Sequence, residues 1–207
     1  MKDLIIGEFG KFVYVTYLGV LFALAAIYYF IQGQFAWGMM CFIVSGICDL
    51  FDGRVANSFE RSAYQKRYGI EIDSLCDMVS FVAVPIVLIF SQLAYTVWSL
   101  PLAGIYVLAA VSRLATFNAQ AKTQEEEAAY FIGVPVTYSA LVYPVSFIMV
   151  ESFWPGNYQM VLPMFILLLA YLFVMKRQVP KPRGKAYIFF CLRALVSLVA
   201  LRRLANG

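Results

Sequence analysis

Four aspartates interrupt two segments of the chain that are otherwise apolar enough to cross a membrane. They lie in the stretch CDLFDGRVANSFERSAYQKRYGIEIDSLCDMVSF, and they are Asp49, Asp52, Asp73 and Asp77. An ionised carboxylate in hydrocarbon is costly enough to persist only with a compensating partner. Four carboxylates in so short a stretch therefore indicate a bound cation.

The composition places the chain among integral membrane proteins. Apolar residues make up 62% of the sequence and charged residues 14%, and the mean hydropathy is +0.77, all outside the range of soluble domains. A transmembrane helix needs about 20 residues, so 207 residues leave room for six spans and short loops. We expect an all-α integral membrane protein that forms one domain over residues 1–207.

Six apolar runs are long enough to be these spans, and glycine or proline marks most of the breaks between them. The runs are Phe12 to Ile31, Phe35 to Val55, Ile70 to Phe90, Val97 to Asn118, Val134 to Val150 and Met160 to Met175.

The two ends of the chain fall outside the six runs. Met1 to Lys11 carries Asp3 and Glu8 among apolar residues, which favours a short interfacial helix over a cleaved signal peptide. Ala186 to Leu201 is moderately apolar with Arg193 in its middle. It fits either a surface helix or a poor seventh span, and we expect the surface helix.

The distribution of lysine and arginine predicts the orientation in the membrane. Neither occurs around Gln32 to Gln34, Ser91 to Thr96 or Glu151 to Gln159. The positive-inside rule then predicts a multi-pass protein of the cell membrane with both termini and the aspartates on the cytoplasmic side. The net charge of +4 calls for anionic lipid as a partner rather than nucleic acid. The basic residues that set the orientation are Lys2, Lys11, Arg54, Arg61, Lys66, Arg67, Lys122, Lys176, Arg177, Lys181, Arg183 and Lys185.

The spacing of the aspartates predicts that they converge. Asp49 and Asp52 are three residues apart, and Asp73 and Asp77 are four apart, so each pair lies on one face of a helix. A short polar loop joins the two spans, which must therefore be antiparallel neighbours. With oxygen ligands, no histidine in the chain and no metal-type cysteine spacing, the site favours Mg²⁺, Mn²⁺ or Ca²⁺ over zinc or copper.

Small residues flank the aspartates at both helix ends. Gly53 and Gly69 lack a side chain, so a bulky ligand can approach the backbone there. Ala56 continues the small surface one turn further along the first helix.

These residues resemble the motif of the CDP-alcohol phosphotransferase family, DxxDGxxAR followed by GxxxDxxxD. Seven of its eight fixed positions match, and the mismatch is Asn57, where the family usually has arginine. A second departure is the stretch from Asn57 to Gly69, which is a few residues longer than is usual in the family. Arg54 and Arg61, each within about a turn, are the candidates to supply that charge. The segments RLATFNAQ and YFIGVPVT, residues 113–120 and 130–137, are similar to segments of the phosphatidylserine synthase branch of the family.

The resemblance implies a fold, a reaction and a set of site residues. Family members have six transmembrane helices with the site at the cytoplasmic end, often as homodimers. The resemblance to the phosphatidylserine synthase branch implies that this chain transfers a phosphatidyl group from CDP-diacylglycerol to the hydroxyl of L-serine and releases CMP, with two Mg²⁺ or Mn²⁺ ions. By analogy the metal ligands are Asp49, Asp52, Asp73 and Asp77, with Asp77 also the base, and the CDP-binding residues are Gly53, Ala56, Asn57, Arg61 and Gly69.

A serine site needs a cation for the carboxylate of the amino acid and oxygen atoms for its ammonium group. Arg113 is placed inside a span at about the right depth, and Asn118 lies five residues further on. Thr137 opens the next span, where free backbone N–H groups favour an anion. These three are the candidate acceptor-binding residues, and the alternative for Arg113 is a side chain that snorkels or pairs with an acidic group.

Two other functions fit parts of the sequence. An enzyme of the same family with glycerol 3-phosphate, inositol phosphate or an amino alcohol as acceptor would carry the same motif. A cation channel or transporter would carry acidic or polar residues along the membrane depth of several helices. Here they collect at one end of the spans, which favours the enzyme.

Overall fold

The computed structural model describes residues 6–94, 96–122, 130–180 and 185–206, and helices dominate these ranges. Two short antiparallel strands, β1 (Tyr130–Ile132) and β2 (Gln178–Pro180), pair with each other. They lie in the loops before the sixth and the eighth helix. The helices of the described ranges are α1 (Tyr14–Ile31), α2 (Phe35–Asn57), α3 (Ala63–Asp77), α4 (Val84–Leu93), α5 (Ser99–Lys122), α6 (Ser139–Phe153), α7 (Tyr158–Val174) and α8 (Lys185–Asn206).

The protein is an all-α, multi-pass integral membrane protein, as the composition predicts. Within the described ranges, five helical segments are long and apolar enough to cross a membrane, and α7, with 17 residues, is a shorter apolar helix. The five segments are Lys11–Ile31, Phe35–Asn57, Ala63–Leu93, Ser99–Gln120 and Val136–Phe153.

The third segment starts seven residues before the apolar run predicted from Ile70. Ser62 caps the helix, because its hydroxyl accepts from the backbone N–H of Gln65 at 3.2 Å while the Gln65 side chain accepts from the N–H of Ser62 at 3.1 Å. This reciprocal cap begins α3 in a polar stretch. Its first turns therefore extend beyond the apolar run, and only the five residues 58–62 separate α2 from α3.

Helix α2 is the central element around which the site is built. It packs against α1 on one side and against α6 and α8 elsewhere along its length. Gly19 of α1 lies so close to α2 that a Cβ atom there would sit 3.1 Å from the Cβ of Cys48. This close approach fixes the helix turn that carries Asp49.

The interfacial helix predicted over Met1 to Lys11 falls partly outside the described residues, which begin at Ile6. Residues 6–10 are not helical, and helical structure begins with a short 3₁₀ turn at Lys11–Val13. Gly7 has a φ of 110°, which a right-handed helix does not allow. Glu8 is held instead by hydrogen bonds to its carbonyl from Tyr17, at 3.2 Å, and to its carboxylate from Gln65, at 3.1 Å.

The C-terminal helix α8 also differs from the expected surface helix, because it packs along α2 and α6. Near its start the ring of Tyr187 lies 6.0 Å from that of Phe51, near the end of α2. The helix then runs back along α2 and buries Ala194, Ser197 and Leu201, while Arg193 stays on its exposed face. Residues on one face, rather than the mean polarity of the segment, decide this packing. From this packing we expect α8 to end on the outer side of the membrane, whereas the distribution of lysine and arginine predicts a cytoplasmic C-terminus.

Cysteine labelling on intact cells tests this arrangement, in a variant lacking the four native cysteines. Gln32→Cys, Pro155→Cys and Asn206→Cys should react with a membrane-impermeant maleimide from outside, and Glu60→Cys only after permeabilisation. External labelling at Glu60 would place the aspartates on the outer face. Labelling of Asn206 only after permeabilisation would return α8 to the cytoplasmic surface.

Candidate active site

The structure brings the four aspartates together where α2 ends and α3 passes it. One carboxylate oxygen from each of Asp49, Asp52 and Asp73 lies within 4.8 Å of the others. The carboxyl group of Asp77, one turn beyond Asp73, lies within hydrogen-bonding reach of Asp49. The convergence expected from the three- and four-residue spacings is thus the arrangement that the structure shows.

This cluster has the chemistry of a site for a hard divalent cation. Carboxylates so close together repel one another, and Asp52 is 93% shielded from solvent, with 7% of its surface exposed. A cation would compensate that repulsion, and oxygen ligands suit Mg²⁺, Mn²⁺ or Ca²⁺. Asp49, Asp52 and Asp73 are the residues placed to hold it, with Asp77 at the edge of the group.

Two hydroxyl groups complete the cluster. Thr16 of α1 donates a hydrogen bond to Oδ2 of Asp52 at 2.9 Å, and the side chain of Thr137 lies beside Asp49 in the lining of one cavity. The sequence motif contains no signal for Thr16, because its contact joins residues 36 positions apart. Thr137 was predicted as an acceptor-binding residue, and the structure places it directly against a candidate metal ligand.

A polar cavity of about 530 Å³ opens beside the cluster, between α1, α2, α3 and α5. Among the described residues, nothing lies within 4 Å of the point where a Cβ atom on Gly53 would be. Gly53 therefore leaves room for a ligand, whereas a Cβ atom on Gly69 would lie 3.4 Å from Nη1 of Arg61. All five residues predicted to bind CDP line this one cavity together with two of the aspartates, as Asp52, Gly53, Ala56, Asn57, Arg61, Gly69 and Asp73.

Arg61 is the arginine that enters the cavity. Its Nη2 donates a hydrogen bond to Oδ1 of Asn57, and its buried Nε has no hydrogen-bond partner among the described residues. Arg54 is exposed and lies over the ring of Tyr187 at 4.7 Å. Of the two candidates for the missing charge, the structure therefore favours Arg61. Lys66 lines the same cavity. From the sequence it was predicted only to set the orientation in the membrane, and its place in the site was missed.

An irregular helical segment follows Asp77. Residues Met78–Ala83 form a π-helix between α3 and α4, and such segments are frequent at functional sites. Pro85 lacks the N–H that would bond the carbonyl of Phe81 in a regular helix. The hydroxyl of Tyr106 in α5 donates to that carbonyl at 2.8 Å. This contact anchors the helix just beyond Asp77, and the sequence signal for it, a proline inside an apolar run, was missed.

Arg113 and Asn118, the other candidate acceptor residues, lie on α5 facing α3. Arg113 is 5% exposed, so its side chain does not snorkel to the surface, and its Nε donates to the carbonyl of Val134 at 3.2 Å. The guanidinium is close enough to Asp77 to interact with its charge. Asn118 accepts a hydrogen bond at 2.7 Å from Ser74, the residue after Asp73. Arg113 is thus near the cluster itself, and Asn118 supports the helix that carries it.

Comparison with known proteins agrees with the motif. A sequence model described as CDP-alcohol phosphatidyltransferase matches residues 13–175, which confirms the resemblance seen in the aspartates. A CDP-diacylglycerol–serine O-phosphatidyltransferase of Helicobacter pylori is 27% identical over 196 residues, which cover 91% of this chain and 81% of the relative.

Similarity to proteins of the same name extends to other organisms over shorter stretches. The protein of Saccharomyces cerevisiae is 36% identical over 108 residues, or 49% of this chain and 38% of the relative. That of Mycobacterium bovis is 32% identical over 131 residues, or 61% of this chain and 45% of the relative. Helix α8 lies beyond the family match, which ends at residue 175.

Proposed function

Because the chain belongs to the CDP-alcohol phosphatidyltransferase family, we propose that it transfers a phosphatidyl group from CDP-diacylglycerol to the hydroxyl of L-serine. The products are phosphatidylserine and CMP. The observation that carries the proposal is the group of four aspartates beside a cavity that contains Arg61 and Lys66. The names of the relatives support L-serine as the acceptor. A location in the cell membrane and a homodimer, expected from the sequence and the family, belong to the same proposal.

The nucleotide and pyrophosphate of the donor fit the polar cavity. Gly53 leaves open space beside the cavity, and Gly69 lets the guanidinium of Arg61 approach the backbone of α3. Arg61 and Lys66 bring positive charge to the cavity wall. The Nε of Arg61, which has no hydrogen-bond partner in the described part of the chain, offers a donor to a phosphate oxygen. Hydrogen bonds between ionised groups are about twice as strong as neutral ones. Asn57 orients this guanidinium, so the pair of residues replaces the family arginine.

The aspartates have two roles in this proposal. A divalent cation, Mg²⁺ or Mn²⁺, held by Asp49, Asp52 and Asp73 would supply positive charge against the phosphates. By family analogy the site would hold two such ions. Thr16 and Thr137 hold two of these carboxylates in position. Asp77 accepts the proton of the serine hydroxyl. At the same time the serine oxygen bonds to the phosphorus, and the bond between this phosphorus and the oxygen of CMP breaks.

Arg113 is the proposed contact for the carboxylate of serine. It is buried, it lies near Asp77, and the carbonyl of Val134 fixes one edge of its guanidinium group. A planar guanidinium can hold a carboxylate with two parallel hydrogen bonds. Asn118 acts on the acceptor site through Ser74, because its amide oxygen is already engaged with α3.

An acceptor screen tests the function directly. CMP release from CDP-diacylglycerol should require L-serine, and glycerol 3-phosphate or inositol phosphate should not replace it. Arg113→Lys, which loses the paired hydrogen bonds, should raise the serine KM roughly tenfold, since a charge-assisted hydrogen bond contributes about 1.5–3 kcal/mol, with a smaller change in the KM for CDP-diacylglycerol.

Two results would contradict this proposal. Turnover with a phosphorylated acceptor in place of serine would move the chain to another branch of the family. An unchanged serine KM in Arg113→Lys would remove this residue from the acceptor site.

Arg61 is tested through the donor rather than the acceptor. Arg61→Ala should raise the KM for CDP-diacylglycerol by about tenfold, because one charge-assisted contact to phosphate is lost. Asn57→Ala should give a smaller increase, since the guanidinium remains but is no longer oriented. The matched control is Arg67→Ala. Arg67 is an exposed arginine of α3, six residues beyond Arg61, and its substitution should change this KM less than twofold. Equal effects of Arg61→Ala and Arg67→Ala would refute a direct role for Arg61.

A further inference from the structure

A second cavity, of about 240 Å³, lies between α2, α6 and α8. The helices that form it differ from those of the polar cavity, apart from α2. Its lining is apolar along most of its length, with Ile43, Ile47 and Leu141 among the contributing side chains. Asp49 and Thr137 line the same cavity, so it is continuous with the carboxylate cluster.

Helix α8 supplies one wall of this cavity through a single face. Tyr187, Phe190, Ala194 and Ser197 all line it, and their spacing of three or four residues places them on one side of a helix. The first two are large aromatic residues, and the next two are small. At 1.5 Å per residue, this face is about 15 Å long. Leu201, one turn further on, is completely buried.

The other two walls are closely packed against each other. A Cβ atom on Gly46 of α2 would lie 2.7 Å from the Cβ of Ala140 in α6, so these helices are already as close as their backbones allow. The start of α8 is held in place as well. Tyr187 contacts Phe51 and Arg54 of α2, and the ring of Phe190 lies 5.7 Å from that of Tyr138. The space therefore depends on Ala194 and Ser197, the small residues of α8.

The shape and chemistry of the cavity identify the kind of ligand that fits. It begins at the carboxylates and runs along helices that cross the membrane, and its apolar lining excludes water-soluble groups. A hydrocarbon chain that leaves a phosphate group near Asp49 meets both conditions. Burial of each methylene of such a chain in the cavity is favourable.

We propose that this cavity holds one acyl chain of the phosphatidyl donor, and that α8 limits the length of the chain it accepts. This inference rests on the proposed function. It assigns a specificity role to a helix that begins beyond residue 175, where the family match ends. Ala194 and Ser197 leave the cavity open, and Leu201 closes the helix face beyond it.

Filling the cavity from α8 tests the proposal. Ser197→Phe should lower kcat/KM for dipalmitoyl CDP-diacylglycerol about tenfold or more, because a ring replaces several buried methylenes, and should change the value for the dioctanoyl donor less than twofold. Val196→Phe is the matched control, since Val196 is 61% exposed on another face of the same helix. It should leave both values within twofold of wild type. Equal effects on the two donors, or none, would overturn the proposal.

A second measurement uses the wild-type protein and does not depend on the folding of a variant. CDP-diacylglycerol with a diazirine at the end of one acyl chain should crosslink to the 190–201 region of α8, as read by mass spectrometry of the digested protein. Adducts only at exposed positions of other helices would overturn the acyl site. If instead no donor of any chain length supports CMP release with L-serine, the proposed function itself fails, so the two failures are distinguishable.

Discussion

Mutual repulsion between carboxylates is the constraint on which the rest of the structure depends. Asp49, Asp52 and Asp73 have oxygen atoms within 4.8 Å of one another, at the ends of helices that also have to pack in a membrane. The protein holds them there by close helix contacts on both faces of α2, at Gly19 with Cys48 and at Gly46 with Ala140. Such contacts leave α2 little freedom to separate the charges, and a bound cation would compensate their repulsion.

In the proposed reaction, the two cavities would hold different parts of the lipid donor. The polar cavity brings Arg61 and Lys66 beside the aspartates, and the apolar cavity begins at Asp49 and follows α8. The two spaces meet at the carboxylates of α2. In the proposed reaction, the bond to phosphorus would therefore break where the charged part of the donor meets its hydrocarbon part.

The aspartate site followed from the sequence because helical periodicity alone decides which of its residues share a face. Elements that depend on contacts between distant residues did not follow. Residues 6–10 are not helical, and Gly7 among them has a φ that a right-handed helix does not allow. The packing of α8 depends on the face from Tyr187 to Leu201, although Arg193 lowers the mean hydropathy of this helix. The bonds from Thr16 to Asp52 and from Tyr106 to Phe81 join residues 36 and 25 positions apart, and no local pattern predicts them.

The most direct test of this account is Mn²⁺ binding to the purified protein, followed by electron paramagnetic resonance of the free ion. Wild type should bind Mn²⁺ in competition with Mg²⁺, and Asp52→Asn or Asp73→Asn should weaken binding at least about tenfold, because each removes a charged ligand. Glu60→Gln, which removes an exposed carboxylate outside the cluster, should bind as wild type does. Equal Mn²⁺ affinity in wild type and both aspartate variants would contradict the central claim that these carboxylates form a cation site.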